Sequence, residues 1–357
     1  MKLKNRIQQQ PEAGQGTVLS IIIVSYNTRE LTCACIRSIY KSDMDVSFEV
    51  IVYDNASADG SAALIAAEFP EVAVIKSDTN IGFAAANNIA AEQACGDWLL
   101  LLNPDTEVLD NGIARLLDFA AGSGRRAIFG GASETPDGET DFRSCWAKPS
   151  LWGLTMQALG LSAVGKRLSV LNPDEMPDWQ RDTTREVGVI TGCFLMLNHS
   201  TWKELGGFDI DYFMYSEETD LCLRADQQGI SRIFYPDARV LHIGGASETS
   251  KPHKTVKLFL GKRIYFEKHY SPFWSFYAST ILDLHVLIRL LTLGSLQLFG
   301  DKFNEGYSHW KTVWRERGSW NETMGVFGRT VAYTLSPLEE QIHSCRIEDS
   351  FYADTSL

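Results

Sequence analysis

Apolar positions along the first third of the chain change period repeatedly. Runs of β-branched and leucine residues, VLSIIIVSYN from Val18, FEVIVYDNAS from Phe48, VAVIK from Val72 and DWLLLL from Asp97, read as strands. Four leucines in succession leave no polar face, so the last strand is buried on both sides. Between these runs, TRELTCACIRSIYKS, ADGSAALIAAEF, GFAAANNIAAEQAC and DNGIARLLDFAAG carry apolar residues at helical spacing, the first with Thr28 as an N-cap candidate. Alternation of this kind predicts an α/β fold, a Rossmann-like, mainly parallel central sheet flanked by helices.

In such a sheet ligands bind beyond the carboxyl ends of the strands. Successive strand exits carry Ser25-Tyr26-Asn27, Asp54-Asn55-Ala56-Ser57 and Asn103-Pro104-Asp105, which would converge on one crevice. A dinucleotide-binding fingerprint needs glycines directly after the first strand, and that loop is SYNTRE. An aromatic ring and a carboxylate suit a nucleobase instead: Tyr26 to stack on it, Asp54 to accept from a ring imide N–H. A rim aromatic and an ordinary turn would look the same. Asp105, at the tip of the leucine strand, offers a hard oxygen ligand to a divalent cation. The plainer reading of Asn-Pro-Asp-Thr is a turn and N-cap before the next helix.

The second half adds a carboxylate pair. EVGVITGCFLMLN reads as a buried strand whose Thr191-Gly192 step admits close backbone approach, or as a strand with a simple bulge. ELGGFDIDYFMYSEETDLCLRADQQG runs from a glycine turn through an aromatic loop into a helix, with Ser216 as N-cap and Glu217, Glu218 and Asp220 in the first turn. Acidic residues there complement the helix dipole, and Asp220 is spaced to pair with Arg224. RIFYPDARVLHIGGAS reads as a hairpin-like pair of strands ending in His242.

Composition narrows the setting. The 357 residues carry 33 Lys and Arg against 45 Asp and Glu, a net charge of −12 that argues against a nucleic-acid partner. Seven cysteines without repeated short spacing suit reduced, packed thiols of a cytoplasmic protein.

Six blocks in order, LSIIIVSYN, VIVYDNASADGS, TNIGFAAANN, LLLLNPDTEV, GCFLMLNHSTWKELGGFDIDYFMYSEETDLCLRADQQG and VLHIGGAS, resemble the family 2 glycosyltransferases, in particular the rhamnosyltransferase-like branch that builds bacterial surface polysaccharides such as O-antigen. The resemblance implies a GT-A fold and inverting transfer from a nucleotide-diphosphate sugar to a lipid-linked or oligosaccharide acceptor. It implies nucleotide-sugar contacts from Ser25, Tyr26, Asn27, Asp54, Ser57, Asn80, Gly82, Asn103, Asp105 and Gly192. Asp105 matches the last residue of the family's Asp-x-Asp metal motif, whose first Asp is Asn103 here. It would hold Mn²⁺ or Mg²⁺, with His242 as a second metal or diphosphate contact. The family's base position falls on Glu218, with Glu217 its neighbour. An inverting displacement needs such a group, because the acceptor hydroxyl must lose a proton as it attacks.

The expected organisation is a disordered lead-in over residues 1–17, without the apolar segment of a secretion signal, and a catalytic domain over 18–250. A basic then apolar helical region follows over 251–335, and a loose tail over 336–357. KPHKTVKLFLGKRIYFEKHY carries six Lys and Arg against one Glu, and the segment after it is long enough to span a bilayer but for Asp283, His285 and Arg289. Residues 251–299 suit either the inner face of the cytoplasmic membrane or packing on the domain or in a dimer. A sugar nucleotidyltransferase would also use the strand-end carboxylates but would not need the Glu217-Glu218 helix, and a catalytically silent membrane-associated scaffold would keep the fold and bind nucleotide-sugar without turnover.

Overall fold

The computed structural model describes residues 18–244 and 250–318; the expected lead-in and loose tail, and Gly245–Thr249 after His242, lie outside the described residues. The alternation is present as β1 (Leu19–Ser25), α1 (Arg29–Lys41), β2 (Phe48–Asp54), α2 (Ser61–Glu68), β3 (Ala73–Lys76), α3 (Phe83–Glu92) and β4 (Trp98–Leu102). It continues through β5 (Thr106–Leu109), α4 (Gly112–Gly122), β6 (Ala127–Glu134), α5 (Leu151–Ala158), β7 (Phe194–Asn198), α6 (His199–Leu205), α7 (Glu217–Gln227) and β8 (Ser231–His242).

These strands form one twisted sheet in the order β3-β2-β1-β4-β7-β6-β8-β5. β3, β2, β1 and β4 run parallel. β7 enters antiparallel between β4 and β6, and β8 runs parallel to β6 and antiparallel to β5. This is the GT-A arrangement, a mixed sheet with a mostly parallel half. Successive side chains explain why β1 and β4 read as continuous apolar runs: Ile22, Leu99 and Leu101 enter the core on one face of the sheet, and Ile21, Ile23, Leu100 and Leu102 the core on the other.

Four local expectations are revised. EVGVITGCFLMLN is two strands: Val189–Ile190 pairs with Cys145–Trp146 in a separate small sheet, and Thr191–Cys193 breaks away before β7. RIFYPDARVLH is a single strand, not a hairpin, with its register against β6 shifted between Tyr235 and Arg239, where Pro236 has no N–H to donate. Asn103-Pro104-Asp105 leads into β5 rather than a helix. Thr28 stands at the N-cap of α1 without capping it; its hydroxyl meets Ser25 and Thr32 instead.

Helices α8 (Lys251–His269), α9 (Pro272–Leu296) and α10 (Asn304–Arg315) form a further core. Phe259, Phe266, Ala278, Leu282, Val286 and Val313 close on Leu154, Tyr212 and Leu223 of the sheet domain. α8 approaches the loop before α7 so closely that a Cβ on Gly261 would sit 2.4 Å from the Tyr215 carbonyl oxygen. The helical extension is therefore part of the wall of the crevice, not a detached arm. Pro272–Phe299 is long and apolar enough to cross a membrane by length and composition. It packs one side on the domain and leaves Phe273, Phe276 and Leu291 exposed at 69%, 72% and 63%.

Candidate active site

The strand exits converge on a cleft of about 700 Å³. Tyr26, Asn27, Asn80, Gly82, Asn103, Asp105, Gly192, Glu217, Glu218 and His242 all line it. Ser25, Asp54 and Ser57 do not. Ser25 is buried among Thr28 and Thr32, and Ser57 Oγ accepts the Asn27 N–H at 2.9 Å, so both brace the tip of β1. Asp54 lies behind the wall at 2% exposure, its Oδ1 buried without a hydrogen-bond partner. Its neighbour Asn55 reaches the cleft and ties β2 to the next loop, donating to the Gly82 carbonyl and accepting from the Ile81 N–H. Gly82 is required there: φ is +87°, and a Cβ would lie 2.4 Å from the Phe213 carbonyl oxygen. Gly192 is different, since a Cβ would make only ordinary contact with Phe83 and Glu218, so its bareness keeps cleft space open.

Asp105 and His242 meet because β8 pairs with β5 in the register that sets His242 opposite Thr106. His242 Nε2 lies 3.5 Å from Asp105 Oδ1, while Asp105 Oδ2 accepts the Gly244 N–H at 3.0 Å. Burial disfavours charge on His242, but the adjacent Cys193 and Asp105 outweigh it and push the imidazole up to about 10. Among the described residues no group of three His, Cys, Asp or Glu side chains is placed to hold a metal. Asp105 thus offers one carboxylate to a divalent ion bound jointly with a diphosphate, and not a free-standing metal centre; His242, protonated at neutral pH, would become a second ligand only by giving up its proton and would otherwise stand as a cation beside the diphosphate.

Glu217 and Glu218 stand across the cleft in the first turn of α7. Tyr215 and Ser216, both at φ 73°, make two successive left-handed residues that swing the chain into this turn; Ser216 is the N-cap residue but makes no side-chain cap bond. Both glutamates line the cleft; Glu217 is buried and Glu218 half-buried, with its Oε2 shielded from solvent. Desolvation pushes Glu218 up to about 7, against the pull of backbone amides at Ser216, Glu218 and Thr219. Desolvation and the Glu218 charge raise Glu217 further, and the two side chains share a hydrogen bond. Glu217 is the neutral acid of the pair, Glu218 the member that ionises near neutrality. Asp220 pairs with Arg224 at 2.7 Å and with His269 at 2.6 Å, away from the cleft, as its spacing implied.

Several lining residues were not legible as site residues. Asp141, Arg143, Trp146 and Glu175 come from the irregular segment between β6 and β7. Lys254 and Lys257 belong to the basic run of α8, where a membrane contact was expected, yet they face the cleft. Their spacing of three on a helix is the one sequence signal that they share a face.

Comparison with known proteins places the chain in a family. The family described as glycosyl transferase family 2 matches residues 20–201, which run from β1 into α6 and include the exits of β1, β2 and β4. The chain belongs to glycosyl transferase family 2. This family 2 chain is 28% identical over 265 residues to an N-acetylglucosaminyl-diphospho-decaprenol L-rhamnosyltransferase of Mycobacterium tuberculosis, covering 67% of this chain and 83% of the relative. It is 25% identical to the O-antigen biosynthesis protein RfbC of Myxococcus xanthus over 65% of this chain and 18% of that larger protein. In structure it is similar to the mannosyltransferase PcManGT of Pyrobaculum calidifontis, solved with GDP-Man and Mn²⁺. The TM-score is 0.52 at 15% identity, covering 89% of this chain and 92% of the other. The protein is a glycosyltransferase with the fold and the rhamnosyltransferase-like relatives expected from its sequence blocks; the nucleotidyltransferase alternative is set aside.

Proposed function

We propose that this protein is an inverting rhamnosyltransferase that moves the sugar of a nucleotide-diphosphate donor to a hydroxyl of a lipid-linked glycan. The observation that carries the reading is Glu218, a cleft-facing carboxyl raised to about 7 by burial, with Asp105 and His242 on the opposite, strand-end side of the same cleft. A base that ionises near neutral pH is matched to removing the proton of an attacking hydroxyl.

Tyr26 lies against the base of the donor, with Asn55 beside it as the residue of the β2 exit that reaches the cleft. Asn27, Asn80, Asn103 and the bare edges at Gly82 and Gly192 shape the nucleotide-sugar path. Asp105, with His242 once deprotonated, would hold Mn²⁺ or Mg²⁺, which would neutralise charge on the departing diphosphate. Lys254 and Lys257 add positive charge to the cleft, whereas Arg143 is paired with Asp141. Glu217, kept neutral, donates to Glu218 and holds it towards the acceptor. The acceptor oxygen forms its bond to C1, its proton passes to Glu218, and the C1–oxygen bond to the diphosphate breaks with its electron pair leaving on the nucleotide.

The mycobacterial relative supports a rhamnose donor and an N-acetylglucosaminyl-diphospho-prenol acceptor. A prenyl chain fits a protein working at the inner face of the cytoplasmic membrane, with the exposed Phe273, Trp274 and Phe276 at the start of α9 as the contact. Residues 18–250 act as the catalytic domain and the following helices as its membrane-facing flank.

A thermal-shift panel of dTDP-, UDP- and GDP-sugars, with Mn²⁺, with Mg²⁺ and with a chelator, tests the donor half of this reading. One nucleotide class is expected to raise Tm, and only with metal present. No shift from any donor, in protein shown to be folded, would leave the silent scaffold as the better account.

A further inference from the structure

Behind the carboxylate pair, away from the donor edge, lies a second cavity of about 220 Å³. It shares Trp146, Glu175, Tyr215, Glu218 and Leu258 with the main cleft, so Glu218 stands at the junction of the two. Its remaining wall is mixed in a way that a packing defect is not. Lys262 of α8 donates to Gln157 Oε1 of α5 at 3.0 Å, and Ser150 donates to Asp174 Oδ1 at 3.0 Å. Asp174 can lie over α5 only because residue 153 is glycine, where a Cβ would fall 2.2 Å from the carboxylate. Tyr265, 2% exposed, lines the cavity with a hydroxyl that has no hydrogen-bond partner, and Glu218 Oε2 is equally unpartnered.

We infer that this cavity is the subsite for the terminal sugar ring of the acceptor, held by Asp174, Lys262 and Gln157 through its hydroxyls and by Trp146 along its face, with the reacting hydroxyl directed at Glu218. The inference rests on the transferase reading above and adds where the acceptor binds. Flat aromatic walls with a few fixed polar groups are what a hydrated, polyhydroxylated ring requires, and an apolar ligand would leave those groups unpaired. Burial pushes the Asp174 carboxyl up to about 6 and lowers the Lys262 amine, so both are poorly solvated in the empty cavity and gain from hydroxyl partners. The donor cannot use this space without passing Glu218. Asp105 and His242 line the main cleft and not this cavity, so an acceptor reaching Glu218 from here would come from the side away from them, as an inverting displacement needs. Two of the three polar contacts, Lys262 and Gln157, come from helices outside the strand exits that bind the donor, so acceptor choice and donor choice are set by separate parts of the chain.

The test uses the full chain, dTDP-, UDP- and GDP-sugars as donors, and a panel of sugars carried on short prenyl diphosphates, N-acetylglucosamine among them. Lys262→Met and Gln157→Leu are each expected to raise the acceptor KM by about tenfold or more, the loss of a hydrogen bond to a charged or buried partner. The donor KM is expected to change far less than the acceptor KM in both variants. If Lys262→Met fails to fold, Gln157→Leu carries the test. Native protein that transfers the sugar while both variants keep the native acceptor KM would overturn the subsite and leave the transferase reading standing. Native protein that binds donor but transfers to no member of the panel would overturn the subsite together with the lipid-linked acceptor. Native protein that binds no donor removes the transferase reading itself.

Discussion

Glu218→Gln lowers kcat by about 10²- to 10⁴-fold, the range of a general base, with donor binding kept. The amide preserves the shape and the hydrogen bonds of the side chain but cannot take a proton. Glu217→Gln is expected to be far milder, because an amide still donates to Glu218 as the neutral acid does. The contrast between two adjacent, like-for-like substitutions separates their roles, which helix-dipole arguments cannot do. The pH dependence has a sign. Glu218 acts as a carboxylate, so kcat/KM of the native enzyme rises as pH passes upward through about 7 and levels off above it. Stability runs the other way. The folded-state value of about 7 lies above the ordinary 4.5, so burying this group costs nothing below 4.5, and the penalty grows until it is complete above 7. Glu218→Gln should therefore melt higher than native protein at pH 8, and the gap should close in acid. A variant that is less active yet no more stable at pH 8 would argue against a strained, buried base.

Asp105→Ala is the second large effect. It removes the carboxylate that stands 3.5 Å from His242 Nε2 at the strand ends. The thermal shift produced by donor plus Mn²⁺ is expected to vanish, and turnover to fall by about 10²- to 10³-fold, the several kcal/mol that charge neutralisation at a departing diphosphate supplies. His242→Ala is expected to weaken the metal response without abolishing it. Because Asn103 stands where the family's motif has its first Asp, one carboxylate bears the whole task, and metal should bind tightly only when the nucleotide diphosphate is present. A metal-dependent shift that persists in Asp105→Ala would place the ion elsewhere.

The legibility of this molecule follows its periodicity. β1, β2 and β4 announced themselves because burial on both faces leaves unbroken apolar runs, and their exits marked one edge of the cleft. β5 and β6 were missed: the first is a four-residue strand hidden behind Asn103-Pro104-Asp105, the second a run broken by Gly130 and Gly131, which pack against Ile190 and Phe194 where a Cβ would collide. The pair Asp105 and His242 could be suspected from family blocks, but only the β5–β8 register brings residues so distant in sequence together. Asp54 shows the limit of reading strand ends: the carboxylate looked like the contact, and Asn55 is the residue that reaches the cleft. Arg143, Trp146 and Lys262 were illegible for a different reason. They sit on irregular chain or on an amphipathic helix whose partner surface is defined only by the fold.

The most direct measurement is the anomeric configuration of the product. Native enzyme, an anomerically pure nucleotide-sugar and a prenyl-diphosphate-linked acceptor would be followed by NMR through the one-bond C–H coupling at the transferred C1. A single displacement driven by Glu218 predicts inverted configuration. Retained configuration would contradict it, because retention requires a step in which Glu218 does not simply deprotonate the attacking hydroxyl.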